Sequence, residues 1–291
     1  MSVPPIVLYL HIPKAGGTTL SDWIYDQVRI ASKKQFQVNE GRWLNAGVFY
    51  YPAGYVKDPC SRDIVTIERV LPRRDLSAVL GHFPFGIHKQ LSRSFRYITM
   101  LRHPVERVLS LYHFAKLVEA KYGHHEGFRM ASDTTLEEFV ESPPFREVDN
   151  GQTRRISGLS AELGDCTKAT LEHAKKNLRE YFPVVGITER FDETLILLRR
   201  AFSWRKDLFY YPKNTNPDRV NVETLNKKTI DTILARNKFD TELYQFAAQL
   251  MDSAVSREGA DFQTELAEFK LKKQAWYENI ARCNNGPTMV K

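Results

Sequence analysis

The sequence is short of cysteine, of long apolar runs and of repeats. Only three cysteines, Cys60, Cys166 and Cys283, occur in 291 residues, and their spacing matches no metal site. An odd, sparse count argues against a disulfide framework and fits a reducing compartment. No stretch approaches the ~20 apolar residues that a membrane helix needs. Met1-Ser2-Val3-Pro4-Pro5 lacks the basic start of a secretory leader. These absences lead to the expectation of a soluble, cytoplasmic protein with no membrane span and no metal. No self-similar period or biased tract is present, which excludes solenoids, collagen and disorder. Charge is nearly balanced, 42 Lys plus Arg against 35 Asp plus Glu, a net of +7. That small excess favours anionic partners such as nucleotides or acidic glycans without choosing among them. No RNA- or DNA-binding motif accompanies it, so no nucleic-acid partner is expected.

What is present begins with enough material for a core, 42% hydrophobic and 12% aromatic residues. One stretch organises the rest. Ile6 to Leu10 is a short apolar run suited to a buried parallel strand. Pro13-Lys14-Ala15-Gly16-Gly17-Thr18-Thr19 follows at once, and Leu20, Trp23, Ile24 and Val28 then recur at helical spacing. Strand, glycine turn and helix start make a cradle for an oxyanion. The glycines let backbone N–H groups approach, and the helix N-terminus adds partial positive charge. Lys14 adds a full charge, and Thr18 and Thr19 add hydroxyl donors. A nucleoside-triphosphate loop would need its lysine after the last glycine; here Lys14 precedes the pair.

Further buried strands are expected at Leu76–Phe83, at Phe95–Leu101 and at Phe182–Ile187. Helices are expected from Pro104 to about Lys121, over Asp133–Phe139, Ala169–Tyr181 and Glu189–Phe202, and through most of Val222–Arg282. Lys33–Arg74 reads as irregular, with Phe49–Tyr55 an aromatic loop packed on the core. Strands alternating with helices give an α/β fold with a central parallel sheet flanked by helices. No linker is visible, so residues 1–291 read as one domain, a sheet core over about 5–200 and a helical part over about 220–282.

A second strand-to-helix junction carries Arg102-His103-Pro104-Val105-Glu106-Arg107-Val108-Leu109-Ser110. Arg102 ends a strand, and Ser110 lies two turns into the helix. A guanidinium and a hydroxyl make a phosphate clamp, and open α/β sheets bind ligands at strand carboxyl ends. Taken singly, Arg102 is equally a solvated strand-end residue and Ser110 a small helix-contact residue.

Pro-Lys-x-Gly-Gly-Thr-Thr after one strand and Arg-x-Pro-x-x-Arg-x-x-Ser after another resemble the PAPS-dependent sulfotransferases, PAPS being 3′-phosphoadenosine 5′-phosphosulfate. The similarity is greatest to the Golgi heparan sulfate 2-O and 6-O enzymes and their bacterial counterparts. Asp149-Asn150-Gly151-Gln152-Thr153-Arg154 and Val185-Gly186-Ile187-Thr188-Glu189-Arg190-Phe191 also match, so the likeness spans roughly residues 5–200. It implies the P-loop-like sulfotransferase fold, PAPS as co-substrate and sulfonate transfer to a hydroxyl acceptor, a glycan or glycolipid. It also implies that Lys14, Ala15, Gly16, Gly17, Thr18 and Thr19 bind the 5′-phosphosulfate, that Arg102 and Ser110 hold the 3′-phosphate, and that Lys213 and Asn214 close over the nucleotide. His82 falls on the family's catalytic histidine, with Lys14 as its catalytic partner at the leaving group. Gln152 and Arg154 would position the acceptor or a loop.

The chemistry suits these residue types. A histidine can take the hydroxyl proton, and Lys14 can neutralise charge on the bridging oxygen. From the residues alone His82 is also readable as a strand-end histidine bonded to backbone, and His88 is a rival base. His124-His125 reads as a solvated loop, and Glu189-Arg190 as a structural ion pair. Two other functions stay open, a non-catalytic PAP- or glycan-binding module and a nucleotide kinase-like phosphotransferase. The second lacks the lysine placement and the acidic magnesium ligands.

Overall fold

The computed structural model describes residues 4–32, 44–45, 48–51, 71–122, 133–159, 161–205, 208–213 and 222–284. Strand β1, Ile6–Leu10, is buried at every position, as a strand covered on both faces must be. Helix α1, Gly17–Ser32, follows it. Next come β2, Leu44–Asn45, β3, Val48–Tyr51, and β4, Ala78–Gly81. β5, Phe95–Leu101, has the bounds expected from sequence and leads through Pro104 into α2, Pro104–Tyr122. Proline suits the first helical turn, where its missing N–H leaves no bond unmade.

The sheet order is β2-β3-β4-β1-β5-β6, with β6 at Val185–Ile187. Every neighbouring pair is parallel except β2–β3. β1 is therefore central, with its carboxyl end beside those of β4 and β5. The α/β class and the parallel sheet are as expected. The Lys33–Arg74 stretch differs from expectation, because Val48–Tyr51 pairs in parallel with β4 and forms a strand. Its backbone gains a remote partner that no local pattern announces. Pro52–Tyr55 and Cys60 lie outside the described residues.

Helix α3, Leu136–Glu141, is capped by Thr135, whose side chain accepts from Glu138 N–H while Glu138 reaches back to the cap; this reciprocal box satisfies two otherwise orphaned donors. α4, Gly151–Ser157, and α5, Lys168–Tyr181, lead to β6, and α6 spans Phe191–Phe202. The C-terminal part is α7, Lys227–Arg236, α8, Lys238–Glu258, and α9, Ala260–Asn284. Gly259 separates the last two with φ 75°, a left-handed conformation that costs glycine little. Phe239, Leu243, Met251, Phe262 and Phe269 of these helices share one buried cluster with β1, β4 and β5. Among the described residues no helix is long and apolar enough to cross a membrane.

Candidate active site

A cleft of about 290 Å³ opens at the carboxyl ends of β1, β4 and β5. It brings together Lys14, Gly16, Gly17, Thr18 and Thr19 with His82, Arg102, Ser110 and Lys213, and adds His11, Pro13 and Phe114. Ala15 is fully buried and turns its methyl into the core. Asn214 and His124–His125 lie outside the described residues.

The glycine loop owes its shape to backbone. Lys14 has φ 67° and Gly16 φ 71°, so the chain reverses around buried Ala15 and enters α1 at Gly17. For Lys14 this conformation is strained, and such strain gathers at functional sites. A Cβ on Gly17 would stand 1.9 Å from the His11 ring; only glycine leaves room for that imidazole. The Lys14 ammonium rests 3.9 Å from the centre of the Phe114 ring. Phe114 and Ser110, four residues apart on α2, present one face to the cleft. Burial, then the nearby Arg102 charge, brings the Lys14 pKa down to about 8. Lys14 and Arg102 together, in a cleft with no carboxylate among its described lining residues, make a site matched to an anion.

Arg102 is held from several sides. Its N–H donates to Gln152 Oε1 at 2.9 Å, and Gln152 Nε2 donates to its carbonyl at 2.9 Å. The side-chain amide thus continues the hydrogen bonding that β5 ends. The guanidinium donates to the Lys14 carbonyl and to Glu106, each at 3.1 Å, which ties the two cradles together. Gln152 is fully buried and serves Arg102. Arg154 donates to the carbonyls of Ala161, Glu162 and Asp149, which fastens the chain after α4. Glu189 and Arg190 have separate partners: Glu189 accepts from His103 N–H and from the Tyr244 hydroxyl, whereas Arg190 pairs with Glu193 and Asp252.

His82 follows β4. Its Nδ1 lies 2.8 Å from the His11 carbonyl oxygen. A carbonyl only accepts, so Nδ1 carries the proton and Nε2 is the basic nitrogen. The His11 ring stacks 5.4 Å from Tyr9 and sits 4.2 Å from the His82 ring. Burial, then the Arg155 charge, lowers the His82 pKa to about 4, so the imidazole is neutral at physiological pH. His88 does not line the cleft; its Nδ1 pairs with the Tyr97 hydroxyl at 3.0 Å among Phe85, Phe95 and Tyr181. Lys213 arrives from far along the chain, its N–H donating to Thr19 Oγ1 at 3.0 Å and its ammonium pairing with Asp22.

Sequence reasoning left His11, Phe114 and the Arg155–Glu147 pair without roles. The four-residue step from Ser110 was a usable signal for Phe114; the others depend on contacts between distant segments. A larger concavity of about 420 Å³ lies around Arg199, Arg200, Glu265 and Phe269. Its arginines pair with Glu258 and Glu265, and it is lined mainly by α6 and α9 rather than by strand ends. Among the described residues no group of three His, Cys, Asp or Glu is placed to hold a metal ion.

Comparison with known proteins finds carbohydrate sulfotransferases. The chain is 28% identical to heparan-sulfate 6-O-sulfotransferase 1 of Homo sapiens, with 84% of this chain and 65% of that one covered. It is 26% identical to galactose-3-O-sulfotransferase 3 of Mus musculus, with 92% and 61% covered. The chain thus spans less than two thirds of the length of these relatives. Residues 4–289 match the family described as galactose-3-O-sulfotransferase, and the chain belongs to that family.

Proposed function

We propose that this protein transfers a sulfonate group from PAPS to a hydroxyl of a carbohydrate. The observation that carries the reading is the cleft itself, where two cationic cradles at neighbouring strand ends meet a neutral histidine. A donor with phosphate groups at both its 5′ and 3′ ends needs two such cradles. The donor fits the residues present: Gly16, Gly17 and Thr18 line the cleft at the start of α1, and among the described lining residues no carboxylate repels an anion. Lys14 and Gly16 to Thr19 would hold the phosphosulfate, with Arg102 and Ser110 on the 3′-phosphate. Lys213 would stand over the nucleotide from the Thr19 side.

When bound, PAPS supplies an electrophilic sulfur and a stable leaving group, PAP. The acceptor oxygen forms a bond to sulfur as the bridging S–O bond breaks, and the hydroxyl proton passes to His82 Nε2. The Lys14 ammonium offsets charge that grows on the departing oxygen. A pKa near 4 makes a free imidazole a weak base. The donor's negative charges beside it raise that pKa toward the working range, where general bases are most effective.

The names of the relatives point to a sugar hydroxyl, so heparan sulfate, galactose-terminated glycans and a galactolipid form the first acceptor panel. Mass spectrometry with isotopically labelled PAPS reads the gain of one sulfonate. Transfer to a sugar supports the reading. PAP binding with no transfer to any acceptor would make the protein a binding module. Equal affinity for PAP and AMP would remove the donor assignment.

A further inference from the structure

The cleft accounts for the ring of His82 and leaves open what holds its backbone. The C-terminal end of α4 abuts the turn after β4. Arg155 Nη1 donates to the His82 carbonyl at 2.7 Å, and Phe85 N–H donates to the Arg155 carbonyl at 2.9 Å. A Cβ on Gly158 would lie 2.5 Å from the Phe85 carbonyl oxygen, so the two backbones touch. One residue therefore grips both ends of the His82–Phe85 turn.

Arg155 is itself held. Its Nε donates to Glu147 Oε1 at 2.8 Å, and Nη2 lies 2.5 Å from the same oxygen. Glu147 also pairs with the fully buried Arg107 at 3.3 Å. Burial pushes the Glu147 carboxyl up, but Arg155 and Arg107 outweigh it and hold the pKa below the usual carboxylate range. The carboxylate is charged and shared between two guanidiniums, so the geometry at Arg155 is fixed.

We propose that Arg155, braced by Glu147, is a positioning residue for His82, keeping its carbonyl fixed so that the imidazole stays on the His11 carbonyl with Nε2 free for the acceptor hydroxyl. This rests on the reading of His82 as the base. The charged and titratable groups that face His82 are His11 at the end of β1, Lys14 in the glycine loop, Arg155 on α4 and Glu147 before it. Arg155 is the strongest of these charges, and together with burial it keeps the imidazole neutral.

Two readouts on the full chain test the proposal. Nitrogen-15 NMR of labelled histidines, without substrate, gives the titration midpoint and tautomer of His82. Arg155→Gln should raise the midpoint toward the ordinary histidine range and mix the tautomers. Arg155→Lys keeps the charge and should leave the midpoint near that of the parent while the tautomers still mix. In transfer assays Arg155→Gln should lower kcat by up to roughly 10²-fold, as expected for a displaced reacting group. It should also move the acid limb of kcat/KM for the acceptor to higher pH and leave PAP affinity unchanged. If folded Arg155→Gln and Arg155→Lys proteins keep the parent's midpoint, tautomer and acid limb, Arg155 is a structural pair only and the proposal is overturned. If the NMR changes occur while the parent transfers no sulfonate, the coupling of Arg155 to His82 stands and the assignment of His82 as base falls.

Discussion

The two proposed anion cradles are built on opposite plans. The loop after β1 is made of backbone: two left-handed residues, Lys14 and Gly16, turn the chain, and in the proposed reading N–H groups at the start of α1 would do the gripping. The junction after β5 is made of side chain: one guanidinium, steered by Glu106 and the Lys14 carbonyl, on a backbone clamped by Gln152. A backbone cradle tolerates neighbouring changes but rejects an added Cβ. A guanidinium cradle fails with one residue and depends on partners far away in sequence. His82 belongs to neither, since its contacts run to His11 and Arg155.

That contrast is open to test. The largest effect should come from the residue outside both cradles. His82→Ala should cut single-turnover transfer by about 10²–10⁴ while PAP titrations change little. A loss of PAP binding as severe as that of a cradle variant would place His82 in the donor site. Lys14→Ala should lower both rate and PAP affinity, the rate by about 10²–10³ as for loss of an oxyanion donor. Lys14→Gly relieves the strained φ yet should lose as much, because the ammonium acts and the turn needs no side chain. Arg102→Ala should weaken PAP by roughly 1.5–3 kcal/mol, the worth of a charge-assisted bond, and leave AMP nearly unchanged by calorimetry. Equal losses for both nucleotides would show that Arg102 serves the loop through the Lys14 carbonyl, and the contrast would collapse. Gly17→Ala should lower stability by about 1–3 kcal/mol, as overpacking does, with the histidine NMR signal of His11 displaced. The mildest effect is on pH. In the free protein Lys14 has a pKa of about 8, below its ordinary value. PAP binding needs its charged form, so affinity should be full below that pH and decline as pH rises through it. Lys14→Arg should flatten the decline, because a guanidinium stays charged throughout.

Both strand-to-helix junctions were legible because their signals are local. Five apolar residues before a glycine pair, or a seven-residue run with five apolar positions before Arg-His-Pro, define a strand end and a helix start within one window. The strand at Val48–Tyr51 was not legible, because Tyr, Pro and Gly around it spell an irregular loop and its partner β4 is about thirty residues away. The pair Glu189-Arg190 misled for a geometric reason. Adjacent residues on a helical turn point apart, and each found partners elsewhere. Which of His82 and His88 lines the cleft was beyond the sequence, since His88 is drawn aside by a distant partner, the Tyr97 hydroxyl. Gln152 was recognised as part of a motif, but its two bonds to Arg102 cross fifty residues.

The strand of chain that carries Lys213 has a consequence for how the protein comes to be made. Trp23 donates to the Leu208 carbonyl, Gln27 exchanges bonds with Arg205, and Lys213 caps Thr19, across sequence separations of 185, 178 and 194 residues. A segment made earlier is thus completed by one made much later. Contacts of such separation close against a large loop entropy and are slow to form. The proposed donor site should therefore mature late, after the sheet that supports it. PAP, which stabilises whatever state binds it by mass action, should hasten or protect only chains that already reach Lys213. Nascent chains of graded length, probed by proteolysis with and without PAP, would show protection beginning at that point.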